Sequence, residues 1–169
     1  MKSRAELEIR EADFADPAHR SAIVEVLDTY AADPIGAGAP LAAEIRERLV
    51  SGLRDHPAAL VLLAFAERRA VGIAVCFFGF STFQALPLLN IHDLAVIPEC
   101  RGNGIGRALL RAAEAHALRR GCGRLTLEVR DDNTPARALY ASFGFTNGAG
   151  NSTLTRFLSK PLRAAGQRG

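Results

Sequence analysis

A chain of 169 residues suits one domain with its own core, and 49% apolar against 23% charged residues is ordinary globular composition. A formal charge of +3, scattered along the chain, argues against a nucleic-acid surface, and no apolar run approaches the roughly 20 residues of a membrane span. The opening M-K-S-R-A-E-L-E-I-R lacks the apolar centre of a signal peptide. The expectation is therefore a cytoplasmic protein without nucleic-acid or membrane partners, folded as one domain over 1–162 with a flexible tail at 163–169.

In chain order, Leu7 to Glu11 alternates and predicts a short strand. Asp16-Pro17 opens a helix with Ile23, Val24, Leu27 and Tyr30 on one side, proline sitting well at the first helical position. Two glycines and two prolines mark 31–40 as a loop. A second helix is predicted from Leu41 to Leu53, with Leu41, Ile45, Leu49 and Leu53 on one face. The apolar runs Ala59 to Ala66 and Val71 to Phe80, joined by 67–70, form an antiparallel hairpin candidate. From Ser81 to Pro87 the chain is expected to leave the sheet.

Ile91 to Ile97 reads as a buried strand, stopped by Pro98, which cannot continue a ladder. Gly102, Gly104 and Gly106 follow, able to adopt positive φ and to let a ligand approach the main chain. Ile105, Ala108, Leu109, Ala112, Ala113 and His116 then recur at helical spacing up to Arg120. The loop thus abuts a helix N-terminus, where unpaired N–H groups and the macrodipole favour an anion. That is a phosphate cradle. Arginines 101, 107, 111, 119, 120 and 124 cluster around it and suit a polyanion. Gly121-Cys122-Gly123 stops the helix, and Arg124 to Arg130 supplies a strand parallel to the first through a right-handed crossover. After the turn at 131–135, a Thr134 cap and Pro135 open a short helix carrying Ala136, Leu139, Tyr140 and Phe143, which ends at Gly144. Asn151 to Ser159 is predicted as the last strand. The fold class is α/β, in α+β layered form: a mixed, mostly antiparallel sheet with helices on both faces. Cys76, Cys100 and Cys122 are odd in number and lack metal-like spacing, which predicts reduced structural thiols and no metal.

The cradle can be typed by its letters. A P-loop needs Lys then Ser or Thr after its last glycine, and Gly106 is followed by Arg107 and Ala108. A dinucleotide fingerprint needs glycine at the position of Arg107 and normally opens a domain, although Glu128 falls near where its ribose-binding acid would lie. What remains is Arg101-x-x-Gly104-x-Gly106 after a strand. This resembles motif A, R/Q-x-x-G-x-G/A, of the GNAT superfamily of acyl-CoA-dependent N-acyltransferases. L-E-V-R at 127–130, Asn133, and A-R-A-L-Y-A-S-F-G-F at 136–145 resemble the strand and motif B that follow it in the same family. The match covers about Ile91 to Phe145.

The resemblance implies acetyl-CoA as co-substrate, its pyrophosphate on the loop formed by Arg101, Gly102, Asn103, Gly104, Ile105, Gly106 and Arg107. It implies a parallel strand pair that splays apart, so that main-chain amides around Leu94, Ala95 and Val96 bind pantetheine and polarise the thioester, with Asn133 reaching the pantetheine arm. Acetyl transfer to an amine needs a base, an oxyanion donor and an acid for sulfur. Tyr140 matches the family's general acid. His92 falls where several members place a catalytic Glu, and imidazole changes charge near neutrality. Asp93 would orient it or bind a cationic amine, and Glu128 matches a base used by some L-E-V-R members, so the base stays open among the three. Strict alternation places His92 on the face of Leu94 and Val96, and Asp93 on that of Ile91 and Ala95. Phe83 and Leu86 are candidates for the acceptor pocket. The implied activity is direct transfer of an acetyl group to a primary amine of a small molecule, a polyamine or an amino acid. The alternatives are acetylation of a protein N-terminus or lysine, and a non-catalytic acyl-CoA-binding sensor. A homodimer, common in the family, is a further expectation.

Overall fold

Among the described residues five strands form one sheet in the order β1-β2-β3-β4-β5: β1 (Leu7–Glu11), β2 (Ala59–Ala66), β3 (Arg69–Ser81), β4 (Leu86–Val96) and β5 (Arg124–Leu127). The computed structural model describes residues 6–146 and Lys160, so the strand expected at 151–159 and the tail at 163–169 lie outside the described residues. Strands β1 to β4 pair antiparallel and β4 pairs β5 in parallel. Among the described residues four α-helices accompany them: α1 (Pro17–Ala32), α2 (Ala43–Asp55), α3 (Ile105–Arg119) and α4 (Thr134–Phe143). This is the mixed, layered α/β architecture read from the sequence.

The central hairpin is apolar on both faces because both are covered. Residues 60–64 of β2 and 71–76 of β3 are all buried. A Cβ on Gly72 would stand 3.2 Å from both Ile105 and Leu109 side chains, so Gly72 and its cross-strand neighbour Ala64 face α3. Phe65, the next residue, points the other way and meets His19 of α1 at a ring separation of 5.4 Å. Phe77 lies on that same second face, 4.9 Å from His56 at the end of α2. Leu62, Leu63, Ile73, Leu109 and Leu110 are almost fully buried between the layers, each stabilising the fold by about 1.5–3 kcal/mol relative to exposure.

Local chemistry sets the helix ends. Asp16 Oδ1 accepts from the Ala18 N–H at 2.8 Å, with Pro17 at the start of α1. At the far end of α3, Gly121 takes φ +68° and the Cys122 N–H reaches back to Ala117 O at 2.9 Å, closing the helix as the Gly-Cys-Gly stop predicts.

Four expectations need correction. The chain does not leave the sheet over 81–87: Ser81 pairs with Leu86, and a tight turn at 82–85 folds β3 straight into β4, which therefore begins five residues before the predicted Ile91. Helix α2 starts at Ala43, since the Leu41 N–H is drawn to Asp28 Oδ1 at 2.8 Å instead of entering a helix. Strand β5 ends at Leu127, leaving Glu128, Val129 and Arg130 off the sheet. Asn133, not Thr134, caps α4, its Oδ1 accepting from the Ala136 N–H at 3.2 Å.

Candidate active site

The glycine loop has the shape of a cradle. Pro98 turns the chain out of β4 into a single 3₁₀ turn, Pro98–Cys100. Gly102 and Gly104 adopt φ +78° and +81°, and a Cβ on either would meet no atom within 4 Å: the space above the loop is open. Gly104 is the N-cap of α3 and no side chain caps that helix, so its first N–H groups face the opening. Gly106 serves a different end, since a Cβ there would stand 3.0 Å from Leu139 of α4. The glycine lets α3 and α4 approach, and Arg107 hydrogen-bonds Ser142 across the same contact.

Arg101 is a clamp. Its Nε donates to Val96 O at 3.0 Å and its guanidinium donates to Asp33 Oδ2 at 2.8 Å, tying the loop to the end of β4 and to the C-terminus of α1. The Ile35 N–H, then Arg101, hold the Asp33 carboxyl below the usual carboxylate range. Asn103 turns inward, its amide donating to Cys100 O at 3.1 Å and Arg101 O at 3.3 Å. Two more of the clustered arginines are occupied away from the loop: Arg120 lies 4.1 Å over the Phe78 ring and Arg124 donates to Ser81 at 2.6 Å.

The parallel pair opens beside this loop. Pairing runs from Leu88 with Arg124 to Ile91 with Leu127 and stops there, fastened at Asn90, whose amide donates to Thr126 Oγ1 at 3.1 Å. Beyond Ile91, β3 still lines one edge of β4, while the other edge gives onto a cleft of about 720 Å3 whose walls include Leu94, Ala95, Val96, Gly102, Gly104 and Tyr140. Main-chain groups on that edge have no strand beside them among the described residues.

A bulge falls at the same place. Cys76 pairs with Ile91 and Val75 with Asp93, so His92 is the extra residue on β4. The bulge breaks the predicted alternation. Ile91 lies on the α3 face opposite Cys76, whereas Asp93 and Ala95 share the α1 face with Val75 and Ile73. His92 is exposed, lines the cleft and stands 5.5 Å from Phe77, edge to face. Asp93 does not line the cleft. Burial raises its carboxyl above the usual range, against the opposing pull of His92.

Glu128 reaches the cleft because β5 has already ended, and it is exposed there. Tyr140 enters from α4, only 9% exposed, its phenol pushed up to about 12 by burial and then by Tyr30. Gly144 at φ +103° allows the Phe145 N–H to reach Tyr140 O at 3.0 Å, which folds the Phe145 ring back onto Tyr140 at 5.8 Å. The F-G-F letters are thus a device for seating a phenol. Asn133 and Arg107 also line the cleft. Phe83 and Leu86 do not: they sit at the β3–β4 turn, at the opposite end of β4 from the glycines, with Phe83 99% exposed.

Tyr30 was legible only as part of an apolar stripe. It too faces the cleft, its phenol raised by burial and then by Asp93. Cys100 lines the cleft, while Cys76 is buried and its thiol is pushed up to about 12 by burial and then by Asp93. Among the described residues no cluster of His, Cys, Asp or Glu could hold a metal ion, and no helix is long and apolar enough to cross a membrane.

A layered α/β domain with a glycine cradle, a splayed strand pair and a seated phenol is a recurrent class. Residues 23–145, well over half of the chain, match the family described as "Acetyltransferase (GNAT) family", and the chain belongs to that family. Over 57 residues it is 49% identical to streptothricin acetyltransferase of Streptomyces lavendulae, covering 34% of this chain and 30% of that protein. Over 74 residues it is 36% identical to thialysine N-epsilon-acetyltransferase of Bos taurus, covering 44% and 43% of the two chains. The chain thus spans less than half the length of either relative. Its fold superposes on an aminoglycoside N-acetyltransferase solved with CoA at a TM-score of 0.72 and 15% identity, covering 97% of this chain and 99% of the other.

Proposed function

We propose that this protein moves an acetyl group from acetyl-CoA to a primary amine, by direct attack with both substrates in the one cleft. The observation that carries this reading is convergence. The open glycine cradle, the unpaired edge of β4, the neutral phenol of Tyr140 and the side chains of His92 and Glu128 all border the same 720 Å3 space. The cradle suits the diphosphate of CoA on structural grounds: open space above Gly102 and Gly104, and a helix N-terminus uncapped by any side chain.

Acetyl-CoA supplies the acyl thioester. The chain's own groups do the rest. Those amides of 94–96 that face the open edge of β4 donate to the acyl oxygen and stabilise charge that develops there. His92 or Glu128 accepts the proton of the attacking amine, directly or through a water. Tyr140, protonated because burial holds its phenol at about 12, delivers a proton to the departing sulfur. Arg101 shapes the cradle through Val96 and Asp33. The relatives named for streptothricin and thialysine support a small-molecule amine as acceptor. We place the protein in the cytoplasm, where acetyl-CoA is made and used.

The test is thiol release from acetyl-CoA by the purified protein against polyamines, amino acids, amino sugars and peptides with free N-termini or lysines. Release with one small-amine class is the expected result. Release only with peptides would move the acceptor to proteins, and binding of acetyl-CoA without release under any condition would leave a sensor module.

A further inference from the structure

A second hollow lies on the α1/α2 face of the sheet, outside the acetyl-CoA end of the cleft. It is an open groove of about 570 Å3, lined by Ile45, Leu49 and Leu53 of α2, by His56 and by Phe77 of β3, with Arg48 and Asp55 also along it. Its walls are mostly apolar, and Ile45 is 51% exposed there, an aliphatic side chain with its face to solvent. Phe77 links this hollow to a residue of the active-site cleft. Its ring is 4.9 Å from His56, inside the hollow, and 5.5 Å from His92, which borders the active-site cleft. The three rings form one aromatic row from the hollow to His92, which borders the place of the attacking amine. The bulge at His92 creates this row, by turning the imidazole onto the Phe77 side of β4.

We infer that this hollow is the acceptor's distal subsite, and that the preferred acceptor is a primary amine carrying an apolar or aromatic arm, the amine at His92 and the arm lying along Phe77 into the space beside α2. The inference rests on the acetyltransferase reading for its chemistry, and on the hollow alone for its specificity. Aliphatic and aromatic walls favour burial of apolar area, and an aromatic row accepts a further ring edge to face. A linear polycation finds little there: among the described residues the one carboxylate of the hollow, Asp55, is engaged by Arg54 at 2.8 Å. Arms distinguish acceptors even where the amine is the same, because remote contacts position the reacting group.

Two readouts keep the inference and the activity separable. In the first, 4-phenylbutylamine, spermidine and ethanolamine are compared as acceptors by thiol release from acetyl-CoA. The kcat/KM for 4-phenylbutylamine is expected at least tenfold above the other two, and Ile45→Glu is expected to raise its KM about tenfold with kcat within twofold. Circular dichroism and the melting temperature of that variant report whether it folds. In the second, 4-phenylbutylamine is titrated into the CoA-bound protein and followed by NMR, where shifts confined to Ile45, Leu49, Phe77 and His92 are expected. Binding in the hollow with no turnover would support the subsite and refute the transferase. Turnover led by spermidine, with KM values unmoved by Ile45→Glu, would overturn the subsite and leave the transferase standing. Conversion of a dimer to a monomer by Ile45→Glu, with the amine KM unchanged, would assign the hollow to a second copy of the chain and equally overturn it.

Discussion

Gly104→Ala separates the strain of a loop from its use. Gly104 sits at φ +81° and Gly121 at φ +68°, at opposite ends of α3, and an added Cβ at either meets nothing within 4 Å. Neither change creates a clash, so each costs only the left-handed backbone penalty, about 1 kcal/mol. In a domain of this size that lowers the melting temperature by roughly 2–4 °C. The two variants should be equally destabilised. They should differ in ligand binding, because Gly104 borders the cleft and Gly121 does not. A methyl group over the cradle stands where a diphosphate would approach the α3 amides, so Gly104→Ala should weaken acetyl-CoA binding at least tenfold and Gly121→Ala by less than twofold. Differential scanning fluorimetry and isothermal titration calorimetry read the two effects separately. Equal acetyl-CoA affinities in the two variants would refute the cradle, whatever their stabilities.

Three further outcomes are expected. Tyr140→Phe keeps the ring that packs on Phe145 and removes only the acid, so kcat should fall about 100-fold or more with the melting temperature nearly unchanged; an unaltered kcat would remove Tyr140 from proton delivery. Asp33→Asn loosens the clamp between α1 and the glycine loop, and should cost about 1 kcal/mol, after allowance for the exposure of Arg101, together with a several-fold weaker acetyl-CoA Kd in calorimetry. The Cys76 thiol is raised in the folded state from 9.0 to about 12, so the unfolded chain loses that proton first. Its contribution is complete below pH 9 and is lost as pH rises from 9 towards 12, by about 1.4 kcal/mol per pH unit. Urea melts of the wild type should therefore weaken over that range, and Cys76→Ala should flatten the decline; parallel profiles would exclude the thiol as its source.

The parts of this protein that were legible in the sequence are those coded by neighbours in the chain. Asp16-Pro17, Gly102 and Gly104 after Pro98 and the Gly-Cys-Gly stop each act within one turn of backbone, and the structure places them as read, whereas Gly106 lies inside α3 and makes room for Leu139. What could not be read depends on partners far away. The bulge at His92 carries no glycine to announce it. It lies where the parallel pairing of β4 with β5 ends, and it moves Ile91 to the face opposite Asp93 and Ala95, so strict alternation joined Asp93 correctly to Ala95 and wrongly to Ile91. The chain is expected off the sheet from Ser81 to Pro87, yet Pro87 is tolerated near the start of β4, opposite Phe80. Arg101 read as a cofactor ligand, and its partner Asp33 lies 68 residues earlier, beyond any local pattern. Tyr30 looked like one more member of an apolar helical stripe. Only the packing of α1 over the end of β4 turns it towards Tyr140 and the cleft.

The most direct measurement of the central claim is mass-spectrometric detection of the product after the purified protein is mixed with acetyl-CoA and the best small amine of the panel. An amine heavier by one acetyl group is expected, formed in step with free CoA and strongly reduced in Tyr140→Phe. Free CoA appearing without acetylated amine, or acetyl-CoA bound and recovered intact, would contradict it.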